Sequence, residues 1–244
     1  MRRITLTVFF ILICSLLSAS DVFALPVSTV ILDAGHGGYD PGAVSYLGDE
    51  PLLEKDLTLS LAFRVGEVLQ KDGSLEVLYT RTDDSFISLE QRLELANSVF
   101  PGSNSSALFV SLHFNSSPVE DPNGFEVLVK EGPRVVSFIT SDSPQWRITR
   151  FVSSSLKVTQ QQLNLENLEL ARSVMESFSR TFPELRSRGV KEQDIYVLNG
   201  SLWPSILFEG GFMSNTTEYR FLSDPQWLHK AGQAIAEGIL DYIE

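Results

Sequence analysis

The chain has 244 residues, 43% apolar and 20% charged, with a formal charge of −12, three histidines and one cysteine. That acidity argues against nucleic acid and against anionic membrane surfaces as partners. The lone cysteine, Cys14, leaves no pair for a disulfide framework.

Residues 1–24 read as a secretory signal. Arg2 and Arg3 form a basic start, and residues 6–17 form an apolar core. That core is shorter than the ~20 residues a bilayer-spanning helix needs. Val22 and Ala24 place small residues at the minus-three and minus-one positions, so cleavage is expected after Ala24, with a retained anchor as the alternative. Cys14 sits inside the apolar core and more apolar residues follow it, which argues against a lipoprotein anchor. Residues 25–244 are expected to form one exported, periplasmic domain with no membrane span and no appended module.

The first predicted element is a buried strand over 29–33, followed by a loop rich in glycine. A helix is predicted over 53–70, where Leu57, Leu61, Val65 and Leu69 recur at helical spacing. Then come a strand over 75–80, a short helix over 89–97, and strands over 107–112 and 125–129. A helix over 165–182, strands over 195–198 and 205–208, and a closing helix over 226–243 complete the chain. Strands alternating with helices predict an α/β class: a single-domain three-layer sandwich with a mostly parallel sheet flanked by helices. Residues 131–164 break the rhythm. They read as a polar insertion that borders the site and tunes access, tethered by Trp146, Ile148, Phe151 and Val152.

Two of the three histidines stand at the ends of predicted strands. His36 lies in Asp33-Ala34-Gly35-His36-Gly37-Gly38, and His113 lies in Ser111-Leu112-His113-Phe114-Asn115. In open α/β sheets, sites form at the carboxyl ends of the strands. Zinc hydrolases often combine two histidines and one carboxylate with an open fourth position. Glu54, opening the first helix, is a candidate third ligand. Asp56 and Glu50 are rivals on the same grounds, and a carboxylate in a first turn also favours the helix dipole. Glu209 ends a predicted apolar strand and precedes Gly210-Gly211, a placement that suits a cleft better than a core. Such a set supports hydrolysis of an amide. The metal lowers the pKa of water towards ~7, and Glu209 takes the proton and returns it to the leaving nitrogen. No organic cofactor and no protein nucleophile are needed.

Leu32-Asp33-Ala34-Gly35-His36-Gly37-Gly38-Tyr39-Asp40-Pro41-Gly42-Ala43 resembles the first signature of the zinc-dependent N-acetylmuramoyl-L-alanine amidases, the division-type cell-wall amidases included. Glu54-Lys55-Asp56 resembles their glutamate-ligand segment. Thr80-Arg81-Thr82-Asp83, with Leu89-Glu90-Gln91-Arg92 and Ala96-Asn97, resembles their middle region. Ser111-Leu112-His113-Phe114-Asn115 and Glu209-Gly210-Gly211-Phe212-Met213-Ser214-Asn215 match the second histidine and catalytic-glutamate segments. The resemblance implies Zn2+ at His36, Glu54 and His113, favouring Glu54 over Asp56, and a catalytic Glu209. It also implies cleavage between the lactyl group of muramic acid and L-alanine in peptidoglycan or muropeptides. Ala34 stands where the family usually has proline. Gly210 replaces a bulkier residue, a change expected to widen the cleft. Division-type members can carry a helical plug in the region of 131–164 that a partner removes, so a protein activator is a candidate partner. This insertion shows no clear amphipathic helix ending in a glutamate that could reach zinc.

Two other readings compete. Ser154-Ser155-Leu156-Lys157 fits Ser-x-x-Lys, and Lys130-Glu131-Gly132 loosely fits Lys-x-Gly. Together they suggest a second, serine-type D-Ala-D-Ala carboxypeptidase site at Ser154 and Lys157. No Ser-x-Asn element completes the set, and so short a pattern arises often by chance. The other reading is a non-catalytic peptidoglycan-binding protein, against which Glu209 and the full ligand set argue.

Overall fold

The computed structural model describes residues 25–46, 51–71, 73–119, 121–131 and 157–244. The expected signal segment and most of the expected insertion, including Ser154, lie outside the described residues.

The chain opens with β1 (Val27–Ala34), a short antiparallel hairpin of β2 (Val44–Tyr46) and β3 (Pro51–Leu53), and α1 (Glu54–Leu69). Next come β4 (Glu76–Tyr79), α2 (Leu89–Ser98), β5 (Ser106–Asn115), β6 (Phe125–Lys130) and α3 (Lys157–Thr181). The chain ends with β7 (Ser187–Gln193), α4 (Tyr196–Gly200), β8 (Ser205–Phe212), α5 (Thr216–Leu222) and α6 (Pro225–Ile243). One six-stranded sheet runs β4-β1-β5-β8-β6-β7. The first four strands are parallel, β6 is antiparallel to β8, and β7 is parallel to β6. This is the expected α/β architecture with a mostly parallel sheet between helices.

Side chains alternate across a strand, and here the alternation divides the protein in two. Val30 and Leu32 of β1, Leu108, Val110 and Leu112 of β5, and Ile206 and Phe208 of β8 join the large core with α1, α3 and α6. Ile31, Phe109 and Leu207 point the other way, into a smaller cluster with Leu93 of α2 and Val197 and Leu198 of α4. Among the described residues, the helices on that second face are a ten-residue one and a five-residue one.

Several elements depart from the sequence reading: β2, β3 and α5 were not expected, and three further differences concern α4, β7 and α3. The strand expected over 195–198 is α4, whose Val197 and Leu198 are buried because they plug the smaller core. The real strand, β7, reads Ser-Arg-Gly-Val-Lys-Glu-Gln; as a mostly polar edge strand it lacks the apolar alternation that marks strands. Helix α3 starts at Lys157 rather than at 165. Its added residues include Lys and Gln, good helix formers without an apolar stripe, so part of the expected insertion is helix.

The large core centres on Phe178, fully buried and packed on Phe125, Phe182 and Phe208 with ring centroids 4.6, 4.8 and 4.8 Å away. Phe178→Ala should cost about 3–5 kcal/mol, the usual scale for an emptied aromatic site, read as a lowered urea midpoint. A loss below about 1 kcal/mol would show that the core collapses around the gap.

Candidate metal centre

His36, Glu54 and His113 meet at the carboxyl edge of β1 and β5. Their ligand atoms all lie within 4.8 Å of one another. His36 Nε2 is 3.1 Å and His113 Nδ1 3.0 Å from Glu54 Oε1. The two imidazole rings stand edge to face at 4.9 Å. Nitrogen-rich donor sets with one carboxylate suit zinc. Glu54 is buried at the start of α1, and its oxygens accept from the backbone N–H groups of Ala43, at 2.8 Å, and Phe114, at 3.1 Å. Burial alone would raise its pKa. The hydrogen bonds and charges of His113 and His36 overcome that and hold it well below the usual carboxylate range, so it is an anion ready for a cation.

The glycines of the first signature have a steric task here. A Cβ on Gly35 would lie 2.2 Å from Cε1 of His113, and one on Gly42 would lie 2.6 Å from Cδ2 of His36 and 2.7 Å from Oε2 of Glu54. The side chains of His113, His36 and Glu54 occupy the space that glycine leaves. His36 itself has φ +60°, the single non-glycine residue at positive φ among the described residues. Such a conformation costs about 1–3 kcal/mol and persists only where its surroundings hold it.

Two buried arginines supply that hold. Arg92 donates to the carbonyls of Ala34 and His36, both at 2.6 Å. Arg81 donates to the carbonyls of Ala34 at 3.0 Å, Gly35 at 2.8 Å and Lys55 at 2.7 Å. Asp33 underlies them, accepting from Arg92, Thr80 and Ser111 at 2.6–2.7 Å. Burial would raise the Asp33 pKa, but the Arg92 charge and these hydrogen bonds keep it lowered. Asp40 Oδ2 lies 2.8 Å from His36 Nδ1. A proton on Nδ1 leaves the Nε2 lone pair facing Glu54, the arrangement in which carboxylates orient metal-binding imidazoles.

Glu209 lies beside this cluster. It does not end its strand as expected, because β8 runs on to Phe212. His113 pairs with Glu209, and Asn115 pairs with Phe212, so Gly210 and Gly211 bulge past Phe114. Across the next ladder Glu209 pairs with Glu126. His113, Glu209 and Glu126 therefore form one row across three strands, on the face of the two short helices. They line a cleft of about 520 Å³ that also holds His36, Glu54 and Asn115. Oε2 of Glu209 is buried without a hydrogen-bond partner among the described residues. Burial first, then the Glu54 and Glu126 charges, push the Glu209 pKa well above the ordinary carboxylate value. Burial would raise Glu126 as well, but Lys191, Arg188 and Asn115 hydrogen-bond it and keep it lowered. Arg188 donates to it at 2.7 Å. The β6–β7 register shifts between Phe125 and Val127, placing Arg188 and Gly189 opposite Glu126.

The structure thus brings together His36, Glu54, His113 and Glu209. Glu54 joins the two histidines in a group that could hold a metal ion, and Asp56 does not enter it; Glu50 lies outside the described residues. Gly210 does not widen the cleft: its Cβ position is only 2.7 Å from the ring of Phe114, which fills the space. Lys157 is the first residue of α3, and its suggested partner Ser154 lies outside the described residues. Sequence reasoning gave no role to Asp40, Arg81, Arg92 or Glu126. Glu126 carried a readable signal, an acid inside an otherwise apolar strand.

The profile of the N-acetylmuramoyl-L-alanine amidase family matches residues 30–241. The chain is similar to the uncharacterized protein YqiI of Bacillus subtilis, 33% identical over 216 residues, covering 88% of this chain and 85% of that one. It is 28% identical to the germination-specific N-acetylmuramoyl-L-alanine amidase of the same organism, covering 91% and 83%. It matches N-acetylmuramoyl-L-alanine amidase LytC at 30% identity but spans only 35% of that protein's length. Among solved structures, the N-acetylmuramoyl-L-alanine amidase of Clostridium difficile 630 superposes with a TM-score of 0.68 at 27% identity, covering 89% and 97% of the two chains. The Clostridioides difficile CwlD amidase, solved in complex with the GerS lipoprotein, gives 0.66 at 29% identity, covering 88% and 98%.

Asp40→Ala should weaken zinc binding by about 10–100-fold, the scale of a lost carboxylate behind a ligating imidazole, while the metal-free protein melts as before. Competition against a chromophoric chelator measures this, and unchanged affinity would remove Asp40 from the centre.

Proposed function

The chain belongs to the N-acetylmuramoyl-L-alanine amidase family, and we propose that it is a zinc-dependent peptidoglycan hydrolase that separates muramic acid from the L-alanine of the stem peptide. The observation that carries this reading is the meeting of His36, Glu54 and His113 in one open cleft beside Glu209, whose Oε2 is buried without a hydrogen-bond partner among the described residues.

His36, Glu54 and His113 would hold Zn2+, which when bound supplies a Lewis acid and acidifies water. Glu209 acts as the proton carrier. Burial, then the charges of Glu54 and Glu126, raise its pKa above the ordinary carboxylate value, the direction that suits a group that both takes and returns a proton. It takes one from the water that attacks the amide carbonyl, then delivers it to the departing nitrogen of L-alanine. Asp40 fixes the ring of His36, while Arg81 and Arg92 fix the backbone that carries it. Asn115 and Glu126 border the same cleft, where a peptide can hydrogen-bond.

The basic start, apolar core and Ala24 support export, with a mature chain beginning at Leu25 and acting in the periplasm. No helix among the described residues is long and apolar enough to cross a membrane. Cell-wall remodelling, daughter-cell separation or recycling are roles that fit this chemistry. A relative solved with a lipoprotein partner supports a protein activator as a candidate, and the 131–164 segment is assigned to access and partner contact. Ser154 and Lys157 have no part in this chemistry, and Ser154→Ala should leave turnover intact.

Digestion of purified peptidoglycan, followed by mass spectrometry, should show free stem peptides. A chelator should abolish their release and zinc should restore it; full turnover in metal-free protein would end the zinc reading. Glu209→Gln should keep zinc and lower turnover by ~10² or more, the scale of a lost general acid–base. Loss of zinc in that variant would make Glu209 a ligand instead.

A further inference from the structure

The cleft continues past the two histidines. Towards β1, a smaller depression of about 120 Å³ is lined by Asp40, Phe86, Leu89 and Arg92, and shares His36 and His113 with the larger arm. Its rim is aromatic and open. Tyr39 is 80% exposed, Leu89 50% and Phe86 38%. The rings of Tyr39 and Phe86 stack at 4.2 Å, 25° from parallel. Single exposed apolar residues need no explanation, but three adjoining ones at a cleft mark a binding surface.

This rim is built rather than incidental. The Tyr39 loop and the Phe86 loop are tied by Asp84, which accepts from the Gly38 N–H at 2.8 Å and from Lys55 at 2.7 Å. Lys55 also donates to the Gly38 carbonyl at 2.9 Å. Arg81 donates to the Asp83 carbonyl at 2.9 Å. The loops approach so closely that a Cβ on Gly38 would lie 2.8 Å from the Phe86 nitrogen. The two loops are thus tied together before any ligand arrives, which lowers the ordering cost of binding. Phe86 backs Tyr39 and leaves the outer face of the tyrosine ring open.

We propose that Tyr39, backed by Phe86, is a stacking platform for a neutral N-acetylated sugar ring of the glycan strand. The proposal rests on the amidase reading, in which the scissile amide has glycan on one side and peptide on the other. The Tyr39 ring offers one broad exposed face, because Phe86 covers the other. A pyranose also suits the surface. Its C–H face covers an aromatic ring while its hydroxyls stay in water, and the exposed rim asks for no buried hydrogen-bond partners.

A peptide-free oligomer of N-acetylglucosamine tests this without any turnover. Titrated into the mature protein and followed by NMR, it should shift the Tyr39 and Phe86 resonances saturably. Tyr39→Phe should bind as the wild type does. Tyr39→Ala should bind about tenfold more weakly, the effect of one lost stacking contact. On soluble glycan strands bearing stem peptides, Tyr39→Ala should raise KM by a similar factor and change kcat little. Glu209→Gln should bind the oligomer normally. Absence of saturable binding to the wild type, or equal binding by Tyr39→Ala, would overturn the platform. Sugar binding without amide cleavage would instead contradict the amidase reading and leave the platform standing.

Discussion

One carboxylate oxygen organises this protein. Glu54 Oε1 lies about 3 Å from an imidazole nitrogen of each histidine and accepts from the Phe114 N–H. Those groups come from a loop after β1, the start of α1 and the end of β5, far apart in sequence. Bringing them together puts His36 at positive φ, and two buried guanidinium groups and an underlying aspartate hold it there. Each of those arginines donates to backbone carbonyls between Ala34 and His36 and to partners outside that stretch, Lys55 and Asp83 for Arg81 and Asp33 for Arg92. The polar network beneath the site is therefore the scaffold of the ligands, with its hydrogen bonds directed at one strained turn.

Among the described residues the two faces of the sheet are covered unequally. Three long helices pack on one face and two short helices on the other, and the strand alternation sends His113, Glu209 and Glu126 to the side of the short helices. A shift of one residue in the β5–β8 register would send Glu209 into the large core. The bulge at Gly210 and Gly211 comes after Glu209, so the strand can bend towards α5 without disturbing that pairing.

Much of this was legible in the sequence, for identifiable reasons. Apolar runs with regular spacing gave β1, α1, β5 and α6 to within a few residues, because those elements are buried on a full face or stripe. His36, Glu54, His113 and Glu209 stood out because polar residues at the ends of apolar runs are conspicuous. Strand β7 was invisible because an edge strand exposed to water carries no alternation. The short helix at Tyr196–Gly200 resembled a strand because its apolar residues serve packing rather than periodicity. Arg81 and Arg92 showed no sign of their task, since their partners are backbone carbonyls, which have no sequence signature.

In the proposed enzyme one metal ion joins His36, Glu54 and His113. A crystal structure of the zinc-loaded protein, with anomalous scattering recorded on both sides of the zinc edge, tests it most directly. The account predicts a single strong peak at bonding distance from His36 Nε2, a Glu54 carboxylate oxygen and a His113 ring nitrogen, with Glu209 facing the ion and not bound to it. A peak elsewhere, or one ligated by Glu209 in place of Glu54, would contradict it.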